Sequence, residues 1–472
     1  MISRAVPSLQ LMDRAQCEKI HHASLEILRR TGVRVHHEEA LALLRDSGCP
    51  VTDGNLVRIP PGLAEWALKQ APSEIALCER GTDRATVALR PGETSFGPGS
   101  DCPNYLDPRT GQRRPFTLAD LKACVHLVDA LPQLSFLMSM GIPRDFTGNT
   151  YRRQYATLIE NSVKPVVFVC DDGADCRAIA EAAAVVAGGM EKLRLNPTLL
   201  LYSEPTTPLQ QSRTATEKLL YMAGQGLPVV HSPAPMMGST APVTLAGGLA
   251  LGNAEVLSSL VIQQRKRAGA PFLYGSGLHH LDMKTSISVY GAPEFQLARL
   301  AVACMGRYYG LPTWGYAGHT DGILFDEQAA ADALFSVQTA MLGGTNLVHD
   351  VGYLEAGLIT SPEMMVFTAD MIGMMRHFAA GFSIDEESLA LDVVHAVGPG
   401  GNFLAEDHTL NHFRELWQPT LFDRQRFDGW QSSGSKKLGA RLREKTLAIM
   451  EGHPGSPLPD KMTREVEKVL GL

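Results

Sequence analysis

A chain of 472 residues with 44% hydrophobic and 20% charged side chains can bury a large core, so a packed globular fold is expected rather than disorder. The length fits about three domains or one large barrel with extensions. A formal net charge of -7 leaves no basic excess for nucleic acid, and polyanions and anionic membranes are equally poor partners.

Residues 1–13 hold no apolar signal core, and the most apolar run, 242–262, is broken by Asn253 and Glu255, so no membrane span is expected. Cys17, Cys49, Cys78, Cys102, Cys124, Cys170, Cys176 and Cys304 are scattered with no CxxC pair. That usage reads as a reduced, cytoplasmic chain with buried thiols. From 13 to 30, Ile20, Ala23, Leu25, Ile27 and Leu28 fall among helically spaced apolar positions, and Thr31-Gly32 stops the helix. An extended piece at 33–35, a helix at 38–44, a turn at Asp53-Gly54 and a strand at 56–59 follow. A helix from Pro60-Pro61 to 67 is the last element read in a mixed N-terminal cap over residues 1–90.

Residues 91–382 alternate. β-rich runs lie at 94–97, 134–140, 165–170, 198–203, 228–232, 271–275, 312–316 and 345–351, their starts spaced by roughly 30 to 43 residues. Helical pattern fills 117–131, 174–193, 209–224, 254–267, 294–308, 326–342 and 362–378. Several strands open on proline, where a missing N–H is tolerated. This α/β alternation predicts a (β/α)8 TIM barrel. The runner-up is an open doubly wound sheet, but Gly97-Pro98-Gly99-Ser100-Asp101 is not the GxGxxG turn of that fold, and no Walker lysine occurs. Residues 383–472 are polar and helical, contain Gly398-Pro399-Gly400-Gly401, and predict a C-terminal helical extension packed on the barrel.

Active sites of such barrels lie at the C-terminal strand ends. In strand order these ends carry Asp101, Cys102 and Tyr105; Arg144 and Asp145; Asp171 and Asp172; Glu204; Pro233, Met236 and Met237; Ser276, His279 and His280; Tyr316, His319 and Asp321; and His349, Asp350, Tyr353 and Glu355. Acids outnumber cations, and aromatic rings are interleaved with them. Ring faces attract a quaternary ammonium and carboxylates compensate its charge, so the set suits a cationic substrate. Taken singly, each acid also fits a helix cap or a solvated rim position. His279-His280-x-Asp282, or His349 with Glu355, has some metal-ligand character. Without HExxH, paired CxxC or a facial triad, no intrinsic metal is expected. There is no GxSxG elbow. Arg144 fits either a substrate carboxylate or a neighbouring acid. A Schiff-base role for Lys164 would put the lysine at the wrong end of the barrel.

Several segments resemble the trimethylamine methyltransferase family. The longest is Met236-Met237-Gly238-Ser239-Thr240-Ala241-Pro242-Val243-Thr244-Leu245-Ala246-Gly247, followed by Ala254-Glu255-Val256-Leu257. Residues 271–275, Tyr290-Gly291-Ala292-Pro293-Glu294, Gly310-Leu311-Pro312, Thr320-Asp321-Gly322 and Asp326-Glu327-Gln328-Ala329 continue it. Gly398-Pro399-Gly400-Gly401-Asn402-Phe403-Leu404, His408-Thr409, residues 421–424 and Trp430 resemble its C-terminal motifs. The resemblance implies a TIM-barrel methyltransferase that moves a methyl group from an amine to the Co(I) corrinoid, a cobalamin, of a separate corrinoid protein. The chain has no DxHxxG pattern of a cobalamin module of its own. Founding members carry pyrrolysine, whereas this sequence holds only standard residues. It therefore resembles the non-pyrrolysine branch, which demethylates quaternary amines such as glycine betaine, proline betaine and carnitine.

A quaternary ammonium releases a neutral tertiary amine, so the leaving nitrogen needs no proton, and the protein has only to cage the cation, exclude water and present one methyl in line. On this reading Tyr105, Tyr316 and Tyr353 are candidate cage walls, Asp101 and Asp370 candidate charge partners, and His349 or Arg144 candidate readers of a substrate carboxylate. Glycine betaine is the expected substrate, with no catalytic nucleophile, and a homo-oligomer is expected. The alternative is a non-catalytic, corrinoid-protein-binding or regulatory paralogue, or a demethylase of another methylated amine such as proline betaine or carnitine.

Overall fold

Strand pairing returns the eighth strand to the first, which closes the barrel. The computed structural model, which describes residues 3–472, has parallel strands Ser95–Pro98, Val166–Phe168, Leu199–Ser203, Val229–His231, Phe272–Leu273, Trp314–Tyr316 and Leu347–Val351. Val166 pairs with Leu199, Leu201 with Val229, Val229 with Phe272, Trp314 with Leu347, and Leu347 with Ser95. A Tyr274–Thr313 bridge joins the sixth and seventh strands. The predicted second strand at 134–140 is not continuous. It enters the ring only through Leu134 opposite Phe96 and Leu137 opposite Val166, and Met140, at φ 60°, leaves the extended region. An open sheet would have left two edges, so the doubly wound alternative is excluded.

The helices Leu118–Ala130, Gly173–Ala187, Arg213–Gln225, Leu245–Lys266, Pro293–Tyr309, Glu327–Leu342 and Pro362–Ala379 correspond to the predicted ones. Thr150–Asn161 is an additional helix between the second and third strand positions. Acids start several of them. Thr117 and Asp120 make a reciprocal capping box, while Asp172 and Asp326 accept N–H bonds in the first turns that follow them. Leu245–Lys266 is long and apolar enough to cross a membrane, but 83% of its most apolar window is buried in the fold. It lies against Arg14–Glu26, Pro61–Gln70 and Arg213–Gln225.

One end of the barrel is sealed. The hairpin Ile75–Cys78/Ala85–Leu89 inserts Ile75, Leu77, Val87 and Leu89 into one apolar core with Phe136, Val167, Leu200, Val230, Leu273, Trp314 and Leu347. Neighbouring residues such as Leu199, Leu201, Val229 and Val348 belong instead to the core between strands and helices, as period-two alternation requires. Lys164 lies at this sealed end. Its Nζ donates to the carbonyls of Val128 (2.5 Å), Leu131 (2.9 Å) and Leu134 (2.7 Å), and burial lowers its pKa to about 8. It closes a helix terminus and takes no part in the open end.

Near the chain termini, Ser3–Ala5 pairs antiparallel with Phe382–Ile384. Leu438–Gly452 packs on Leu118–Ala130 and Pro362–Ala379, and Asp460–Leu470 packs on Thr150–Asn161 and Gly173–Ala187. The helices Glu386–Leu389, Leu391–Val397, Asp407–His412 and Phe427–Ser432 bury no side chain, so the C-terminal extension packs firmly through its last two helices and the stretch around Leu421. All eight cysteines are buried and unpaired.

Candidate active site

Strand alternation decides which side chains reach the open end. Leu200 points inward, so Tyr202 and Glu204 do too; Trp314 brings Tyr316, and Leu347 brings His349. Trp314, 1% exposed, forms a floor. His349 stacks on it with ring centroids 4.2 Å apart and a 26° tilt, and Tyr202 stacks at 5.2 Å and 28°. Tyr316 approaches His349 at 4.3 Å. A second group adjoins this one. Tyr290 stacks on Phe295 at 4.9 Å, and His319 meets Phe295 at 5.1 Å and Tyr290 at 5.3 Å, both edge-on.

Behind these rings lies one fully enclosed cation. The Arg299 guanidinium sits 4.5 Å from the Phe295 ring centre and 4.7 Å from that of Tyr316. Its Nη1 donates to Ser276 O at 2.8 Å and its Nη2 to Leu278 O. These bonds fix the loop after the sixth strand, and burial lowers the arginine pKa.

The carboxylates face a low-dielectric mouth. Burial raises the Asp101 pKa to about 6, and the charges of Glu204 and Asp171 push the same way while Ser100 and Tyr151 oppose them. Glu204 is reached by solvent, yet the protein around it raises its pKa; the Tyr202 hydroxyl, which donates to it, and nearby His349 counter that rise. Asp350, at φ 80°, sits with Oδ1 2.8 Å from His349 Nδ1 and Oδ2 4.0 Å from His319 Nδ1. The closer contact is off the axis of an aligned hydrogen bond, so its attraction is electrostatic. Burial holds His319 near pKa 4 and hence neutral at pH 7. Asp101 Oδ1, Trp314 Nε1, both His319 nitrogens and His349 Nε2 are buried without a hydrogen-bond partner. Such atoms at one end of a barrel are groups available to a ligand.

Of the seven predicted site residues, four converge here. His349 and Tyr316 belong to the ring cluster, and Asp101 lies on the mouth. Tyr353 lies beside them, its hydroxyl donating to Ser100 O and its ring covering Gly99. Three do not join them. Tyr105 packs edge-on against Phe116 under the Arg114 guanidinium, which lies 4.7 Å above its ring, in the core below the helices. The Arg144 side chain is exposed. Asp370 lies inside Pro362–Ala379 and accepts from Thr420 of the C-terminal extension.

Several other rim acids serve the backbone. Asp145 accepts from Leu118 N at 2.9 Å, and Asp321 accepts from Tyr290 N at 2.7 Å and Gly291 N at 2.8 Å. Three members of the two metal-ligand pairings weighed from sequence are engaged elsewhere. His279 is bonded to Gly277 O at 2.7 Å, Asp282 closes a turn onto Thr285, and Glu355 pairs with Arg113 at 3.1 Å. Sequence reasoning named Glu204 and His319 as rim positions without selecting them, and it missed Tyr202, Trp314, Tyr290, Phe295 and Arg299. Tyr202 stands two residues before Glu204 and Trp314 two before Tyr316, so alternation was a signal for both.

Comparison with known proteins agrees with this architecture. The model of the family described as trimethylamine methyltransferase (MTTB) matches residues 1–470. The trimethylamine methyltransferase MttB of Desulfitobacterium hafniense (strain DSM 10664 / DCB-2) is 33% identical over 96% of this chain and 91% of its own length. The glycine betaine methyltransferase of Desulfitobacterium hafniense (strain Y51) is 31% identical over 94% and 92%. The crystal structure of the Methanosarcina barkeri monomethylamine methyltransferase superposes with a TM-score of 0.56 at 12% identity, covering 95% of this chain and 89% of that one, which is a likeness of fold. Family model and full-length relatives coincide: the chain is a methyltransferase of the trimethylamine methyltransferase (MTTB) family.

Proposed function

We propose that this enzyme transfers a methyl group from a carboxylated quaternary amine, glycine betaine or a close analogue, to the Co(I) corrinoid of a separate protein. The observation that carries the reading is the ring cluster of Tyr202, Trp314, Tyr316 and His349 beside Glu204. A desolvated cation over such rings gains about 0.5 to 2 kcal/mol per well-placed ring. A charge-assisted contact to a substrate carboxylate adds about 1.5 to 3 kcal/mol, so betaine is favoured over an amine lacking it by roughly ten- to a hundredfold.

The corrinoid supplies the nucleophile. The chain's own part is orientation: Tyr202 and Tyr316 wall the cation above the Trp314 floor, and Glu204 and Asp101 balance its charge. The C–N bond breaks with its electron pair left on nitrogen, giving a neutral tertiary amine, so no side chain has to move a proton. His349, with Nδ1–H facing Asp350 and Nε2 unpartnered, can donate Nε2–H to the substrate carboxylate when both ring nitrogens carry hydrogen. The acceptor has to come from outside, and the rim fits a protein partner. Val243, Met283, Ile287, Ile323 and Leu324 are exposed on the segments that follow the fifth, sixth and seventh strands.

His349→Ala should weaken use of glycine betaine at least tenfold more than use of tetramethylammonium, measured as kcat/KM for both donors. Equal losses would show that His349 does not read the carboxylate.

A further inference from the structure

The segment between the eighth barrel helix and the last two helices has no core of its own. Glu386–Leu389, Leu391–Val397, Asp407–His412 and the turn Phe413–Glu415 bury no side chain. Hydrophobic burial therefore does not explain why the first of these lies against the third. Polar contacts through Glu387 make that junction. His412 Nε2 is 3.3 Å from Glu387 Oε1, and His408 Nε2 is 3.3 Å from Glu387 O. Surface ion pairs of this kind contribute little in water.

The same residues have the composition and geometry of a metal centre. His408 and His412 are four apart on one helix, their ring centroids 4.4 Å from each other. One ligand atom from each of Glu387, His408 and His412 lies within 4.8 Å of the other two. His412 carries a further carboxylate, Glu415 Oε1, 2.8 Å from its Nδ1. That contact directs Nε2 toward Glu387, as outer carboxylates do for metal-bound histidines. Asp407 and Asn411 line the adjoining groove and offer further oxygen donors.

We propose that Glu387, His408 and His412 bind one zinc-type divalent cation, with water completing a tetrahedron, and that the ion staples the helices of the C-terminal extension together. Two imidazoles and a carboxylate match zinc's preference for mixed nitrogen and oxygen ligands. The ion would do here what a core does elsewhere, because ligand binding to a preformed arrangement is folding free energy. The site is separate from the barrel mouth and is independent of the substrate reading above.

The test uses the full chain, stripped with a chelator and titrated with Zn²⁺ by calorimetry and with Co²⁺ by visible absorption. The expected result is one ion per chain with micromolar or tighter Kd and a tetrahedral cobalt band. Zinc should also slow proteolysis within residues 386–416. His408→Ala with His412→Ala should abolish the band and the protection, and Glu415→Gln should weaken affinity by about tenfold. Absence of saturable binding would overturn the proposal, and so would the same stoichiometry and affinity in the double variant, which would place the ion elsewhere.

Discussion

Asp101 shows how binding and stability oppose each other at a single residue. Its carboxyl is half-buried with Oδ1 shut off from water, and its pKa rises from 3.8 to about 6. Between those values the folded state holds more protons than the unfolded state, so this group's contribution to stability falls as pH rises through that window. Above it, keeping the carboxylate ionised costs about 3 kcal/mol. Asp101→Asn should therefore raise unfolding stability at pH 8 by up to about that amount, with little gain at pH 4, read by urea denaturation at both values. The same substitution should weaken binding of a cationic substrate. Equal stability effects at both pH values would remove the ionisation argument. In the parent enzyme, betaine affinity should decline as pH drops through about 6, as Asp101 takes up a proton.

At the scale of elements, glycines let the inward rings close over the backbone. A methyl group built on Gly99 falls on the Tyr353 ring, and one on Gly277 comes to 2.9 Å from the Tyr316 hydroxyl. Gly99→Ala should displace Tyr353 and destabilise the fold by about 1 to 3 kcal/mol, an overpacking cost visible in the urea midpoint. An unchanged midpoint would mean that the ring has room to move.

Most barrel elements were legible because each strand is a short apolar run and each helix a longer segment with apolar residues at helical spacing, Leu245–Lys266 being apolar almost all round. Two exceptions have physical causes. Residues 134–140 have strand composition, but Met140 turns into the left-handed region and only two bridges form. Thr150–Asn161 escaped notice because Arg152, Arg153, Gln154 and Asn161 mask the buried Tyr155, Leu158 and Ile159. Chain position put His349 and Tyr316 at the mouth, where the structure has them. Tyr105 and Asp370 lie away from it because their side chains serve packing between layers, a choice that spacing along the chain does not encode. Arg299 was equally hidden, as one of two arginines in an otherwise largely apolar helix.

For the whole molecule, surface area is informative. The accessible surface is 20868 Å², about 3,600 Å² more than the roughly 17,200 Å² that size scaling gives a folded monomer of 51.1 kDa. Much apolar surface lies on the C-terminal extension, where Leu389, Leu391, Leu404, Leu410, Leu416 and Phe427 are all exposed. A stable interface needs about 800 Å² per partner, so the excess is ample for a second copy of the chain to cover this face. Light scattering should give a multiple of 51.1 kDa, and charged substitutions at Leu404 and Leu410 should shift it toward the monomer. A monomer at micromolar concentration would refute that assembly. Substrate class is reached most directly by one measurement. The enzyme is incubated with free cob(I)alamin and a panel of methylated amines while methylcobalamin absorbance is followed. Glycine betaine should methylate the acceptor faster than trimethylamine does; faster transfer from trimethylamine than from every quaternary amine, or transfer from none of them, would contradict it.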